Sequence, residues 1–152
     1  MYRQEDARQY ELKNFYLPFG GHLDNENRWV RLTKLIPWEE FEEEYSHHFA
    51  DEWKGGIPAK PFRTALGALL IKEKLRISDR ETVDQIRENP YLQYMIGMEG
   101  YRNEKPFDAS LMVYFRKRIT ADMLIKINDR IHREYVKKND IQKNRESPGK
   151  KK

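Results

Sequence analysis

The sequence predicts an all-α fold, a compact multi-helix domain with helix-turn-helix-like elements and a disordered basic C-terminal tail. Three observations lead there. Valine occurs only four times, and no stretch alternates apolar with polar residues over the length of a strand. Apolar residues instead recur at helical spacing from Trp29 onward. Residues that start and stop helices fall between those runs. A chain of 152 residues allows one domain with a tail rather than two full domains. The division expected is an N-terminal extension over residues 1–24, a helical domain over 25–138, and a tail over 139–152.

The elements follow in order. Gly20-Gly21 and Gly55-Gly56-Ile57-Pro58 punctuate the chain. Between them Pro37 opens a helix reaching about Asp51, with Trp38, Phe41, Tyr45 and Phe49 on one side and Glu39, Glu40, Glu43 and Glu44 elsewhere. Acids near a helix start suit its dipole. Over residues 61–75, Phe62, Ala65, Leu66, Leu69 and Leu70 recur at i, i+3, i+4, i+7 and i+8, the best apolar stripe in the sequence and so the expected centre of the core.

Ser78 with Glu81 three residues later reads as a capping box opening a short helix to about Glu88, with Val83 and Ile86 inward. Asn89-Pro90 caps and starts the next helix, which Gly97 ends. A polar connection over residues 99–105 follows. Pro106-Phe107-Asp108 then leads into a helix through Arg118 with Leu111, Phe115 and Ile119 inward. Thr120 caps a longer helix carrying Leu124, Ile127, Ile131 and Tyr135. From about Asn139 the composition is too polar to bury anything, and Lys150-Lys151-Lys152 close the chain.

Charge narrows the function. Residues 1–60 carry a net −4, residues 61–100 are balanced, and residues 101–152 carry +8, so the total of +4 hides a gradient that suits an anionic partner at the C-terminal end. Nucleic acid comes before a membrane as that partner. Separately, no apolar run is long enough to span a membrane and no apolar core marks a secretory signal. With no cysteine there is no disulfide framework, thiol nucleophile or Cys-based zinc site, which fits a cytoplasmic setting.

Catalytic patterns are not expected either. His47 and His48 are adjacent and diverge on a helix, and His22 and His132 lie far off in sequence, so no metal-ligand spacing arises. The glycine pairs lack the context of a phosphate loop. Ser78 and Ser110 read as helix-start residues rather than nucleophiles. No catalytic residue, metal or cofactor is assigned.

Helical projection separates useful cations from solvating ones. Between Ser78 and Glu88 the outward face holds Glu81, Asp84 and Gln85, which repel phosphate. The next helix turns Ser110, Tyr114 and Lys117 outward with Arg116 on its flank, an acceptable groove-reading set. Arg118 projects towards the apolar side, as a salt bridge or helix C-terminal contact would require. In the last helix Lys126, Arg130, Arg133 and Lys137 fall at i, i+4, i+7 and i+11, opposite Leu124, Ile127, Ile131 and Tyr135. A phosphate-following stripe is one reading. An ordinary solvated face, with Asp122 pairing Lys126 and Asp129 pairing Arg133, is the other.

These signals have an order: Gly56-Ile57-Pro58-Ala59-Lys60-Pro61, the aliphatic helix, Ile77-Ser78-Asp79-Arg80-Glu81, Glu88-Asn89-Pro90-Tyr91-Leu92-Gln93-Tyr94-Met95-Ile96-Gly97, Pro106-Phe107-Asp108-Ala109-Ser110-Leu111 and Phe115-Arg116-Lys117-Arg118. Over residues 25–138 that string resembles the InsH-like N-terminal domain of bacterial insertion-sequence transposases. The resemblance implies a helical region that binds the terminal inverted repeats of a transposable element during DNA transposition. In such proteins it precedes an RNase H-like domain whose acidic triad holds divalent metal. Metal-dependent phosphoryl transfer needs carboxylates gathered on a strand scaffold, which this sequence does not offer, so the chain is expected to lack the chemistry itself.

The expected function is therefore that of a DNA-binding domain of a transposase, with DNA as partner and a homo-oligomer allowed. The alternative is a dimerisation or interaction module that packs on a separate catalytic domain through its aromatic N-terminal half, Trp29, Trp38, Phe41 and Trp53.

Overall fold

The computed structural model describes residues 14–50 and 60–146. Asp51, Trp53, the punctuation over residues 55–58 and the terminal lysines lie outside the described residues, as do the side chains of His48 and Phe49. Among the described residues there are seven α-helices and no strand. They are α1 (Arg28–Leu35), α2 (Trp38–Ala50), α3 (Phe62–Leu75), α4 (Asp79–Glu88), α5 (Pro90–Met95), α6 (Leu111–Arg118) and α7 (Ala121–Glu146).

Local chemistry sets most of the boundaries. Asn27 stays extended and its Oδ1 accepts the Trp29 N–H at 2.9 Å, opening α1. Ile36 is extended, as a residue before proline must be, and separates α1 from α2. Ser78 Oγ accepts the Glu81 N–H at 3.1 Å, while the Glu81 carboxylate takes Gln85 Nε2 at 2.9 Å. Asn89 Oδ1 accepts from Tyr91 N–H, and Pro90 occupies the first turn of α5. Gly97, at φ +89°, turns the chain out of that helix.

α3 is the centre. Phe62, Ala65, Leu66, Ala68 and Ile71 are fully buried, and α2, α4, α5 and α6 pack around them. Burying a side chain the size of Leu66 stabilises by about 1.5–3 kcal/mol. At Gly67 an added Cβ would come within 3.0 Å of Ile96 Cγ2, so the glycine sets the distance between α3 and the end of α5.

Trp29, Trp38 and Phe41 belong to this same core, each 4% exposed. Trp38 stacks edge-on against Phe62, and its Nε1 donates to the Thr33 carbonyl at 3.0 Å. The expected aromatic interaction surface is therefore overturned: its described members face inward because their rings complete the α1–α2–α3 interior. Only Trp53 of that set falls outside the described residues.

Two ends of the fold differ from expectation. In the stretch expected as an extension, Phe15 and Leu23 are buried with Val30 and Tyr94 in a second small core. A lone parallel bridge between Tyr16 and Gly100 pins it, with Tyr16 N–H donating to Glu99 O and Tyr101 N–H to Tyr16 O. A Cβ at Gly100 would lie 2.6 Å from Tyr16 Cβ, so only glycine admits that approach. At the other end α7 does not stop near Asn139 but continues to Glu146. Polarity there removes burial without removing helicity, because residues 139–146 contain neither Gly nor Pro and the first breaker is Pro148.

Candidate nucleic-acid interface

The loop into α6 decides which side chains that helix presents. Asp108 Oδ1 accepts the Ser110 N–H at 2.9 Å, a contact that holds the Asp108 carboxyl below its ordinary range. Ser110 already has helical φ and ψ without a side-chain cap bond, so the regular helix starts at Leu111, three residues later than Asp108 suggested. Met112, Phe115 and Ile119 are buried, and Phe115 meets Phe107 edge-on at 5.2 Å. Ser110, Tyr114 and Lys117 are consequently exposed on the outer side. Two cations, Lys117 Nζ and the Arg118 guanidinium, each lie 5.6 Å from the Tyr114 ring centroid.

Arg116 has a different role from its neighbours. Its guanidinium donates to both carboxylate oxygens of Asp79, and Lys72 approaches the same carboxylate at 3.5 Å. The hydrogen bonds from Arg116 hold the Asp79 carboxyl below its ordinary range. That carboxylate engages the Arg116 charge at a partly exposed position. Arg118, projected inward by the sequence, sits beside the Tyr45 hydroxyl, whose burial pushes its pKa up to about 12 despite that cation.

α7 turns a different side inward from the one its apolar residues suggested. Thr120 Oγ1 accepts the Met123 N–H at 3.3 Å, and Met123 and Ile127 are buried while Tyr135 is 49% exposed. The buried side thus runs through Met123 rather than Tyr135. That rotation brings Arg130 against α2, where it binds the Glu40 carboxylate at 3.0 and 3.2 Å. Lys126, Arg133 and Lys137 remain exposed along one flank. Among the described residues no ion pair within 4.0 Å reaches them, so neither Asp122 with Lys126 nor Asp129 with Arg133 is closed.

The opposite flank of α7 faces α1 across an open cleft of about 440 Å³. Leu32, Leu35 and Ile131 provide apolar walls, and Arg28, Arg31 and Lys74 supply cations. Sequence reasoning missed it because its residues come from three helices. The only available signal was Arg28 and Arg31 at i, i+3 on α1.

Two internal positions were also invisible. Arg63, the single charge in the apolar opening of α3, donates to the Met95 and Tyr94 carbonyls at 3.0 and 2.6 Å and caps the end of α5. Gln93, fully buried, donates through Nε2 to the carbonyls of Ile86, Arg87 and Arg102 and accepts the Arg102 N–H. These contacts hold the loop before α6 against α4 and α5.

The chain is 39% identical over 90 residues to an uncharacterized protein, ORF8 in the nfe locus of Rhizobium meliloti. The match covers 59% of this chain and 42% of that protein, so the chain spans less than half the length of this curated relative. No solved structure matches it. Among the described residues no helix is long and apolar enough to cross a membrane. Residues 18–118 match the family model described as Transposase domain (DUF772), and with two thirds of its length so matched the chain belongs to that transposase-domain family.

Proposed function

We propose that this domain binds DNA as the helical N-terminal part of an InsH-like insertion-sequence transposase, recognising the terminal inverted repeats of its element. The observation that carries the reading is the flank of α7, where Lys126, Arg133 and Lys137 stand exposed with no acid within 4.0 Å among the described residues. Three cations within about 17 Å of helix can follow one phosphate strand. α6 adds Ser110, Tyr114 and Lys117 on its outer side, the residue types that reach base edges and backbone. In this reading strand cleavage belongs to an RNase H-like acidic-triad domain of the longer protein, and this chain supplies recognition.

Salt-dependent binding tests it. Each phosphate neutralised on duplex DNA contributes about 0.9 to the slope of log K against log[salt]. Lys126→Gln, Arg133→Gln and Lys137→Gln together should flatten that slope by about 2 to 3 and weaken binding alike on every sequence. A slope unchanged in the triple variant would return the flank to an ordinary solvated face.

A further inference from the structure

The cleft between α1 and α7 has a chemistry that the phosphate-following flank does not use. Its floor is apolar, from Leu32, Leu35 and Ile131, and the ring of Tyr135 stands at its edge. Asn128 and His132 bring an amide and an imidazole to the same wall. Arg28, Arg31 and Lys74 complete the rim, and among the described residues no acid lies within 4.0 Å of these three cations. No acidic side chain lines it.

A ligand that satisfies all of this has a flat apolar face, a hydrogen-bonding edge and negative charge. We infer that the α1–α7 cleft receives an unpaired nucleotide of a bound DNA strand, its base against Tyr135 and the apolar floor and its phosphates on Arg28, Arg31 and Lys74. The inference rests on the DNA-binding reading above and adds the kind of DNA preferred. A volume of about 440 Å³ lies within the range of small-molecule sites and suits one nucleotide rather than a duplex. Cations that track a backbone, joined to an aromatic ring that stacks a base, are the pairing by which single strands are held. An acidic peptide would engage the cations, but it has no use for an aromatic ring, an amide and an imidazole side by side.

The position on α7 supports the same ligand. Arg133 belongs to the phosphate-following flank and His132, next to it in sequence, to the cleft, so within one turn the helix presents a cation to one side and the cleft to the other. A strand held by Arg133 and Lys137 has to cross about 10 Å of helix to place a nucleotide beside Tyr135.

Two 20-base-pair duplexes distinguish the outcomes, one fully paired and one carrying a single unpaired 2-aminopurine. The wild-type protein should bind the second at least about tenfold more tightly and quench its fluorescence as the base stacks. Tyr135→Ala, at an exposed position, should abolish both the preference and the quenching while leaving the circular dichroism and the affinity for the paired duplex unchanged. Arg31→Gln with Lys74→Gln should reduce the preference without removing binding. Equal affinity for the two duplexes, with no quenching, would overturn the cleft assignment and leave the DNA-binding reading standing. Binding to neither would overturn both. Tight binding of free deoxyadenosine monophosphate, or of a poly-glutamate peptide, without preference for the unpaired duplex would likewise overturn it and assign the cleft to that ligand.

Discussion

Arg116 donates two hydrogen bonds, of 2.7 and 2.9 Å, to the carboxylate of Asp79, clamping the last turn of α6 onto the first turn of α4 across 37 positions of sequence. Asp79 also lies where the α4 dipole favours an anion. Both groups are partly exposed, so screening keeps the pair small, at most about 1 kcal/mol.

The pH dependence of that clamp has a definite sign. The Asp79 carboxyl is held below its ordinary value of 3.8. Its contribution is therefore complete above that value and fades as pH falls through the depressed folded-state pKa. Arg116→Gln should lower the melting temperature by a few degrees at pH 7. The deficit should shrink when melts are repeated below pH 3.8 and towards 2. A deficit that persisted unchanged in acid would show that Arg116 acts by packing instead.

Tyr45 titrates in the opposite range. It is buried, and its hydroxyl is pushed up to about 12 from an ordinary 10.0. The neutral form is thus favoured by folding, a stabilisation present below pH 10 and lost as pH rises towards 12. In an alkaline absorbance titration one of the nine tyrosines should ionise last, together with unfolding, and Tyr45→Phe should remove that step. If wild type and Tyr45→Phe titrate identically, the hydroxyl meets water more freely than its burial implies.

Gln93, fully buried, makes four side-chain hydrogen bonds. Gln93→Leu keeps most of the volume but takes the side-chain partner from the Arg102 N–H and from the carbonyls of Arg87 and Arg102, all part-buried, while the Ile86 carbonyl keeps the Asn89 N–H at 3.4 Å; a polar group left unsatisfied away from water costs about 1–3 kcal/mol. A loss of about 3 kcal/mol or more in urea unfolding is expected. Because the freed loop carries residue 102 and leads into α6, hydrogen exchange should rise there before it rises in α3. A loss below about 1 kcal/mol would mean that water replaces the amide.

What the sequence disclosed and what it hid divide along one physical line. Ser78, Asn89-Pro90 and Gly97 act within a few residues of themselves, so the edges of α4 and α5 could be read directly. The periodicity of Phe62, Ala65, Leu66 and Leu69 is equally local and located the core. The start of α6 was misjudged because Asp108 and Ser110 each have two local options, and the turn took the Asp108 carboxylate. The inward side of α7 depended on whether Met123 or Tyr135 meets the body, which other helices decide. Arg130 with Glu40, 90 positions apart, and the three-helix cleft are tertiary facts without a local signature.

The outer side of α6 separates sequence reading from simple attraction. Ser110, Tyr114 and Lys117 are exposed, and Lys117 lies close enough to the Tyr114 ring for the two to act as one surface. Only one of the three is a cation, so their joint replacement by Ala should change the salt slope by no more than about 1. If their side chains meet base edges, the same variant should lose the preference for terminal inverted repeats over random duplex, each good contact accounting for about 1–3 kcal/mol of discrimination. Arg116→Gln, with its charge already engaged by Asp79, should leave that preference within about twofold. Titrations of wild type and both variants on the two DNAs, at several salt concentrations, decide the matter. Loss of preference in Arg116→Gln but not in the triple variant would mean that DNA takes Arg116 from Asp79, and that the reading side chain of α6 is the one bonded to Asp79 in the free protein.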